Sequence, residues 1–193
     1  MKVGILGGSF DPIHLGHQLL VKEAIQALEL DKLIVVVAYI SPFKVEKPPF
    51  ATPQQRLDMV KLALDGIDKV EVSSLEIDRE GVSYTIDTVN TILEAYNDEK
   101  FYLIFSQDVI QSFPQFKDAE LIKNKVEVVF AVHQEKPFPV AEEILIRVKG
   151  CECSSSMIRE ALLQGQDCQQ FLSPKVLDYI SQHKLYSKAY DNG

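Results

Sequence analysis

Two histidines set three apart, His14 and His17, lie inside the run Gly7-Gly8-Ser9-Phe10-Asp11-Pro12-Ile13-His14-Leu15-Gly16-His17, and the whole chain has only four. At the start of a helix, imidazoles at this spacing can share one side and offer N–H donors or positive charge to a phosphate. Gly16, between them, lets a backbone come close to a ligand. The other readings of the pair are a metal site, which would want a third ligand that no spacing here supplies, and a structural cap. Asp11-Pro12 reads as turn chemistry. Two further cations, Lys44 and Lys47, stand in a proline-rich stretch, and Arg159 follows Ser154, Ser155 and Ser156. An arginine on a helix is ordinarily a surface residue, and only its place after three serines sets this one apart.

The segments around these residues predict how they are held. Val3-Gly4-Ile5-Leu6 is short and apolar, as in a buried parallel strand, and Gln18 to Leu28 carries apolar residues at helical spacing, so the histidine run is a strand-to-helix turn. Lys32 to Ala38 is a second buried strand, and the loop Ile40 to Phe50 leaves its carboxyl end with Lys44 and Lys47. Thr52 and Pro53 open a helix that runs through Asp65, with Leu57, Val60 and Leu64 inward and Gly66 as the stop. Val70 to Val72 is a third strand, and Leu75 to Gly81 reads as a turn. A helix from about Thr85 to Tyr96 precedes the fourth strand, Phe101 to Phe105, which ends at Ser106-Gln107-Asp108. Short helical turns, broken by Pro114, fill Val109 to Lys123. Val126 to Val132 is a fifth strand, Ile144 to Val148 a sixth strand or a helical turn, and Ser155 to Gln164 and Pro174 to His183 are closing helices.

This alternation predicts an α/β fold: a Rossmann-like doubly wound parallel sheet in one domain over 1–193, with a small C-terminal helical extension at about 154–186. Ligands of such sheets bind at the carboxyl ends of the strands. Gly4, Gly7 and Gly8 are wrongly spaced for GxGxxG, which disfavours a nicotinamide-dependent dehydrogenase. A net charge of −8 disfavours a nucleic-acid partner, since backbone binding needs a broad basic surface, whereas a small phosphorylated ligand needs only a few local cations. Cys151, Cys153 and Cys168 show no zinc pattern, so no metal site and reduced thiols in a cytoplasmic setting are expected. No run of eighteen apolar residues and no signal-like leader is present, so no membrane partner is expected.

GGSFDPIHLGH closely resembles the (T/G)xFDPxHxGH signature of the nucleotidyltransferase superfamily that transfers adenylyl or cytidylyl groups, and Ser154-Ser155-Ser156-Met157-Ile158-Arg159 resembles its SSTxIR motif. Gly81-Val82-Ser83-Tyr84-Thr85-Ile86-Asp87-Thr88-Val89 and the ending Leu172-Ser173-Pro174-Lys175-Val176-Leu177-Asp178-Tyr179-Ile180 with Leu185-Tyr186 are similar to the bacterial nicotinate-mononucleotide adenylyltransferase branch. The resemblance implies AMP transfer from ATP to nicotinate mononucleotide, giving the dinucleotide and pyrophosphate in NAD biosynthesis, with Mg2+ accompanying ATP. It implies that His17 stabilises the α-phosphate and His14 contacts the phosphates, with Gly8, Ser9 and Phe10 as a backbone cradle. Ser155, Ser156 and Arg159 would hold the outer phosphates, and Asp108 a ribose hydroxyl. Lys44, Ser83, Tyr84, Thr85 and Phe116 would meet the mononucleotide. Homo-oligomers are compatible with it.

Departures from the family pattern bear on the acceptor. Ser106-Gln107 stands where Gly-Ala is usual, Ser156 replaces Thr, Cys153 replaces Ile, and Phe116 stands for the usual Trp in a chain without tryptophan. A smaller ring face implies weaker pyridine binding, not its loss. The alternatives are transfer to nicotinamide mononucleotide or phosphopantetheine, or a catalytically silent nucleotide-binding protein.

Overall fold

The computed structural model describes residues 1–96, 99–133, 144–148 and 153–187. Six strands, β1 (Lys2–Gly8), β2 (Lys32–Val37), β3 (Val70–Ser73), β4 (Lys100–Ser106), β5 (Glu127–His133) and β6 (Ile144–Val148), form one sheet in the order β3-β2-β1-β4-β5-β6. Every ladder is parallel. Ile144–Val148 is therefore a strand, the first of its two sequence readings. Val140 to Glu143 lies outside the described residues.

Parallel strands need crossovers, and helices α1 (Leu15–Ala27), α2 (Pro53–Leu64), α3 (Leu75–Arg79), α4 (Thr85–Ala95) and α5 (Ala119–Lys125) supply them, with α6 (Ser155–Leu163) and α7 (Pro174–Gln182) at the end. The sheet is apolar on both faces because both are covered. Leu6, Val35, Val37 and Ile104 join a core that includes residues of α1, α2, α6 and α7, and Val3, Ile5, Ile34, Val36 and Leu103 join a second with α4 and α5. The C-terminal helices thus share the first core, through Ile158, Val176 and Ile180. At about 25 cal/mol per Å2 of apolar surface removed from water, two such layers are the main stabilisation of the fold. No helix among the described residues is long and apolar enough to cross a membrane.

Two segments differ from expectation. Leu75 to Arg79 forms α3 rather than a turn, because Glu76 is turned inward and buried, with its carboxylate accepting the Thr88 hydroxyl. Helix α1 begins at Leu15, not Gln18, so Gly16 and His17 belong to its first turn. Order reverses at β1: the chain moves outward to β2 and β3, then returns to place β4 on the other side of β1. A crevice beyond the carboxyl ends of β1 and β4 is the ligand position such a reversal creates.

Candidate active site

The turn after β1 is held open from beneath. Arg56, on α2 and fully buried, donates from Nη1 to the carbonyls of Ser9 and Ala38 (both 2.7 Å), from Nη2 to Tyr39 (2.8 Å) and from Nε to Ala51 (3.2 Å). One guanidinium thereby satisfies carbonyls that the strand ends leave without ladder partners. Phe10 takes φ +48, a left-handed conformation that a bulky residue keeps only when its surroundings hold it. Gly8 makes room for it, since a Cβ there would stand 2.7 Å from the Phe10 ring.

Asp11, read as turn chemistry, is a buried junction. Its Oδ2 accepts the Phe50 N–H (2.9 Å), and its Oδ1 accepts the Ala51 N–H (3.1 Å) and the Tyr186 hydroxyl (2.7 Å). The Asp11 carbonyl accepts Arg159 Nη1 at 2.7 Å, and the same nitrogen is 3.8 Å from the Asp11 carboxylate. The turn after β1, the loop carrying Lys44, helix α6 and the C-terminal tail thus meet on one residue. Arg159 is mostly buried, with its guanidinium 5.2 Å from the Phe50 ring, so it is not an ordinary surface arginine.

His14 is the extended residue preceding α1, and His17 lies one turn inside it. Their ring centroids are 3.8 Å apart, as the spacing predicts, and Phe10 meets His17 edge-on at 5.1 Å. The His14 N–H donates to His17 Nδ1 at 3.3 Å. That acceptor role leaves the proton of a neutral His17 on Nε2, free to donate to an anion. Burial lowers the His14 pKa to about 4, and burial, then the charges of His14 and Lys44, hold His17 well below its ordinary value. Both rings are therefore neutral near pH 7. Gly16 does not face open space: a Cβ there would meet the His14 ring at 3.0 Å and Cys153 Sγ at 3.2 Å. Its small size admits that packing. Cys153 Sγ lies 3.4 Å from His14 Nδ1 and Cys153 is disulfide-bonded, whereas Cys168 is a free buried thiol, so the expectation of reduced thiols holds for Cys168 alone of the two. Cys151 lies outside the described residues.

The three serines of the second motif divide their labour. Ser154 caps α6 by accepting the Met157 N–H (3.2 Å), Ser155 donates to the Pro12 carbonyl (2.9 Å), and Ser156 accepts Arg159 Nη2 (3.1 Å). The Ser155 hydroxyl and the Arg159 guanidinium tie α6 to the first turn, which leaves the start of α6, with its partial positive charge, beside that turn.

Across the crevice, the 3-10 turn Pro42–Lys44 carries Lys44, whose pKa is lowered by desolvation of its ammonium, with Arg159 and Arg56 adding to the shift and Asp11 opposing it. Lys47 is exposed farther along the same loop. Asp108 is exposed on the turn that follows β4. Ser83 is buried and accepts the Tyr39 N–H at 3.0 Å, tying the approach to α4 to the end of β2. Tyr84 and Thr85 open α4, with Lys117 Nζ 4.7 Å from the centre of the Tyr84 ring. Phe116 rests on Phe105 and Phe113 at centroid distances of 5.6 and 5.4 Å, and the exposed Phe43 lies 5.2 Å from it. No group of three His, Cys, Asp or Glu side chains is gathered for a metal among the described residues.

A turn with paired neutral imidazoles, a helix start and three cations around one carboxylate lie together at the reversal of a parallel sheet, an arrangement suited to a phosphorylated ligand. Residues 5–161 match the model of the cytidylyltransferase-like family. The chain is 32% identical over 189 residues to a Bacillus licheniformis protein named "Probable nicotinate-nucleotide adenylyltransferase", covering 96% of this chain and 98% of that one. It is 36% identical over 192 residues to a Halalkalibacterium halodurans protein of the same name, covering 96% and 91%. The chain therefore belongs to the nicotinate-nucleotide adenylyltransferase family. A solved structure of Plasmodium falciparum nicotinic acid mononucleotide adenylyltransferase complexed with NaAD has the same fold, with TM-score 0.79 and 22% identity over 96% of this chain and 97% of that one.

Proposed function

We propose that this protein transfers the adenylyl group of ATP to the 5′-phosphate of nicotinate mononucleotide, releasing pyrophosphate and forming nicotinate adenine dinucleotide. The observation that carries the reading is the orientation of His17, whose Nδ1 accepts the His14 N–H and whose Nε2–H is thereby directed away from its own turn. The acceptor phosphate is already anionic and attacks the α-phosphorus in line, so no protein nucleophile is required. As it attacks, the bond to the pyrophosphate oxygen breaks and charge is spread over the phosphoryl oxygens. Catalysis then consists of positioning and of donors aimed at that charge.

In this reading His17 donates to an α-phosphate oxygen from Nε2, and His14 contacts the phosphates beside it. The backbone of Gly8, Ser9 and Phe10 lines the nucleotide. Arg159 and the start of α6 take the β- and γ-phosphates, and Asp108 a ribose hydroxyl. Lys44 meets the 5′-phosphate of the acceptor, while Ser83, Tyr84 and Thr85 border its ring and Phe116 stacks on it. Magnesium belongs to the substrate, as MgATP. Both oxygens of Asp11 are taken by N–H and O–H donors, which fits a metal carried by phosphate oxygens and water rather than by a carboxylate cage.

The test is to incubate the protein with MgATP and, separately, nicotinate mononucleotide, nicotinamide mononucleotide and 4′-phosphopantetheine, and to identify products by mass. Nicotinate adenine dinucleotide as the dominant product is expected. A dominant amide or pantetheine product, or none, refutes the reading.

A further inference from the structure

Tyr186 lies 175 residues from Asp11 in sequence, is 1% exposed, and donates its hydroxyl to Asp11 Oδ1 at 2.7 Å. Phenylalanine would fill the same volume, so packing alone does not account for a hydroxyl there. Burial and the adjacent Asp11 drive the phenol's pKa far upward, so it remains a donor at every working pH. Its backbone has φ +55, and its ring meets Phe50 edge-on at 6.5 Å. Arg159 touches the same two partners: it donates to the Asp11 carbonyl, faces the Asp11 carboxylate at 3.8 Å and lies over the Phe50 ring at 5.2 Å.

We propose that Tyr186 is a positioning residue for Arg159, acting through Asp11 and Phe50 to hold the guanidinium forward for the outer phosphates of the triphosphate. This rests on the reading of Arg159 as a phosphate ligand. The Asp11 carboxylate shares its charge among two backbone N–H groups and the phenol, and the 3.8 Å gap to Arg159 is longer than a direct charge-assisted hydrogen bond. Removing the phenol donor leaves Oδ1 with the Ala51 N–H alone, so the carboxylate presents more of its charge to Arg159, which faces its other oxygen, Oδ2. Arg159 then closes on the carboxylate as a direct ion pair and is drawn back from the ligand.

The experiment compares Tyr186→Phe, Arg159→Ala, the double variant and, as a control, Tyr179→Phe, which loses a phenol bond to Asp58 of 2.9 Å away from the site. KM is measured for ATP and for the mononucleotide in the forward direction, and for pyrophosphate with the dinucleotide in reverse, alongside Tm. Tyr186→Phe should raise KM for ATP and pyrophosphate about tenfold, the scale of losing one hydrogen bond to a charged group, with KM for the mononucleotide unchanged. In the Arg159→Ala background the same substitution should add nothing, and Tyr179→Phe should move no KM. Equal rises for both substrates, no rise, or full additivity with Arg159→Ala would overturn the inference. An Arg159→Ala variant with unchanged KM for ATP and pyrophosphate would refute the phosphate reading and this inference with it. Should Tyr186→Phe fail to fold, Phe50→Leu removes the ring beneath the guanidinium at an exposed position and should give the same selective rise; an unselective one counts against the proposal.

Discussion

Acidification from pH 7 to pH 5 should destabilise this protein through His14 in particular. Burial lowers that imidazole's pKa to about 4 in the folded chain, against about 6.5 when unfolded, so the unfolded state binds more protons throughout the interval. A group with a depressed folded pKa of this kind contributes stability in full above the unfolded value and loses it as pH falls toward the folded one. With one pKa unit worth about 1.4 kcal/mol, the loss is about 2 kcal/mol between pH 7 and pH 5 and about 3 kcal/mol once pH is below 4. His17, also held well below its ordinary value by burial, acts in the same direction. The assay is urea unfolding of the wild type and of His14→Gln at pH 7, 6 and 5, taking the difference between the two at each pH to cancel the carboxylates they share. That difference should shrink by about 2 kcal/mol across the interval, because glutamine has no proton to gain. Parallel stability curves would refute the argument that His14 is held neutral by burial.

Replacing His17 with Ala should lower kcat about 100-fold or more, the scale of losing one donor to a developing oxyanion, and an unchanged kcat would remove it from the chemistry. Phe116→Ala should raise KM for the mononucleotide about tenfold and leave KM for ATP in place; equal effects on the two would reject stacking. Arg56→Met should cost about 3 kcal/mol or more in urea unfolding, since it leaves buried carbonyls of Ser9, Ala38, Tyr39 and Ala51 without donors. A loss under about 1 kcal/mol would mean that water replaces the guanidinium.

The strands were legible because uninterrupted runs such as Leu33 to Val37 have one physical explanation, burial on both faces. Helix α2 was legible from Thr52 and Pro53, and the structure places both at its start. Helix α3 was not, since a single turn whose inward residue is Glu76 has no apolar period to detect. At the site, the pairing of His14 with His17 followed from their spacing, whereas the importance of Asp11 did not. Its partners Phe50, Ala51 and Tyr186 are remote in sequence, and a local reading of Asp-Pro sees only a turn. Arg56 was hidden for a related reason: beside Leu57 on an amphipathic helix it looks like the polar flank, and nothing local announces the carbonyls it serves. At Gly16 the sequence marks the missing side chain without saying that the His14 ring and the Cys153 sulfur lie beside it.

Three cations, Lys44, Arg56 and Arg159, surround Asp11 in a molecule whose net charge is −8. For a polyanionic nucleotide the net charge is repulsive at a distance, whereas the crevice beyond β1 and β4 gathers cations. The body thus acts as a guard and the mouth as a funnel, so encounters are oriented before contact. Added salt screens both the repulsion and the attraction over a Debye length of about 10 Å at 0.1 M, which sets the two influences of ionic strength on the association rate against each other.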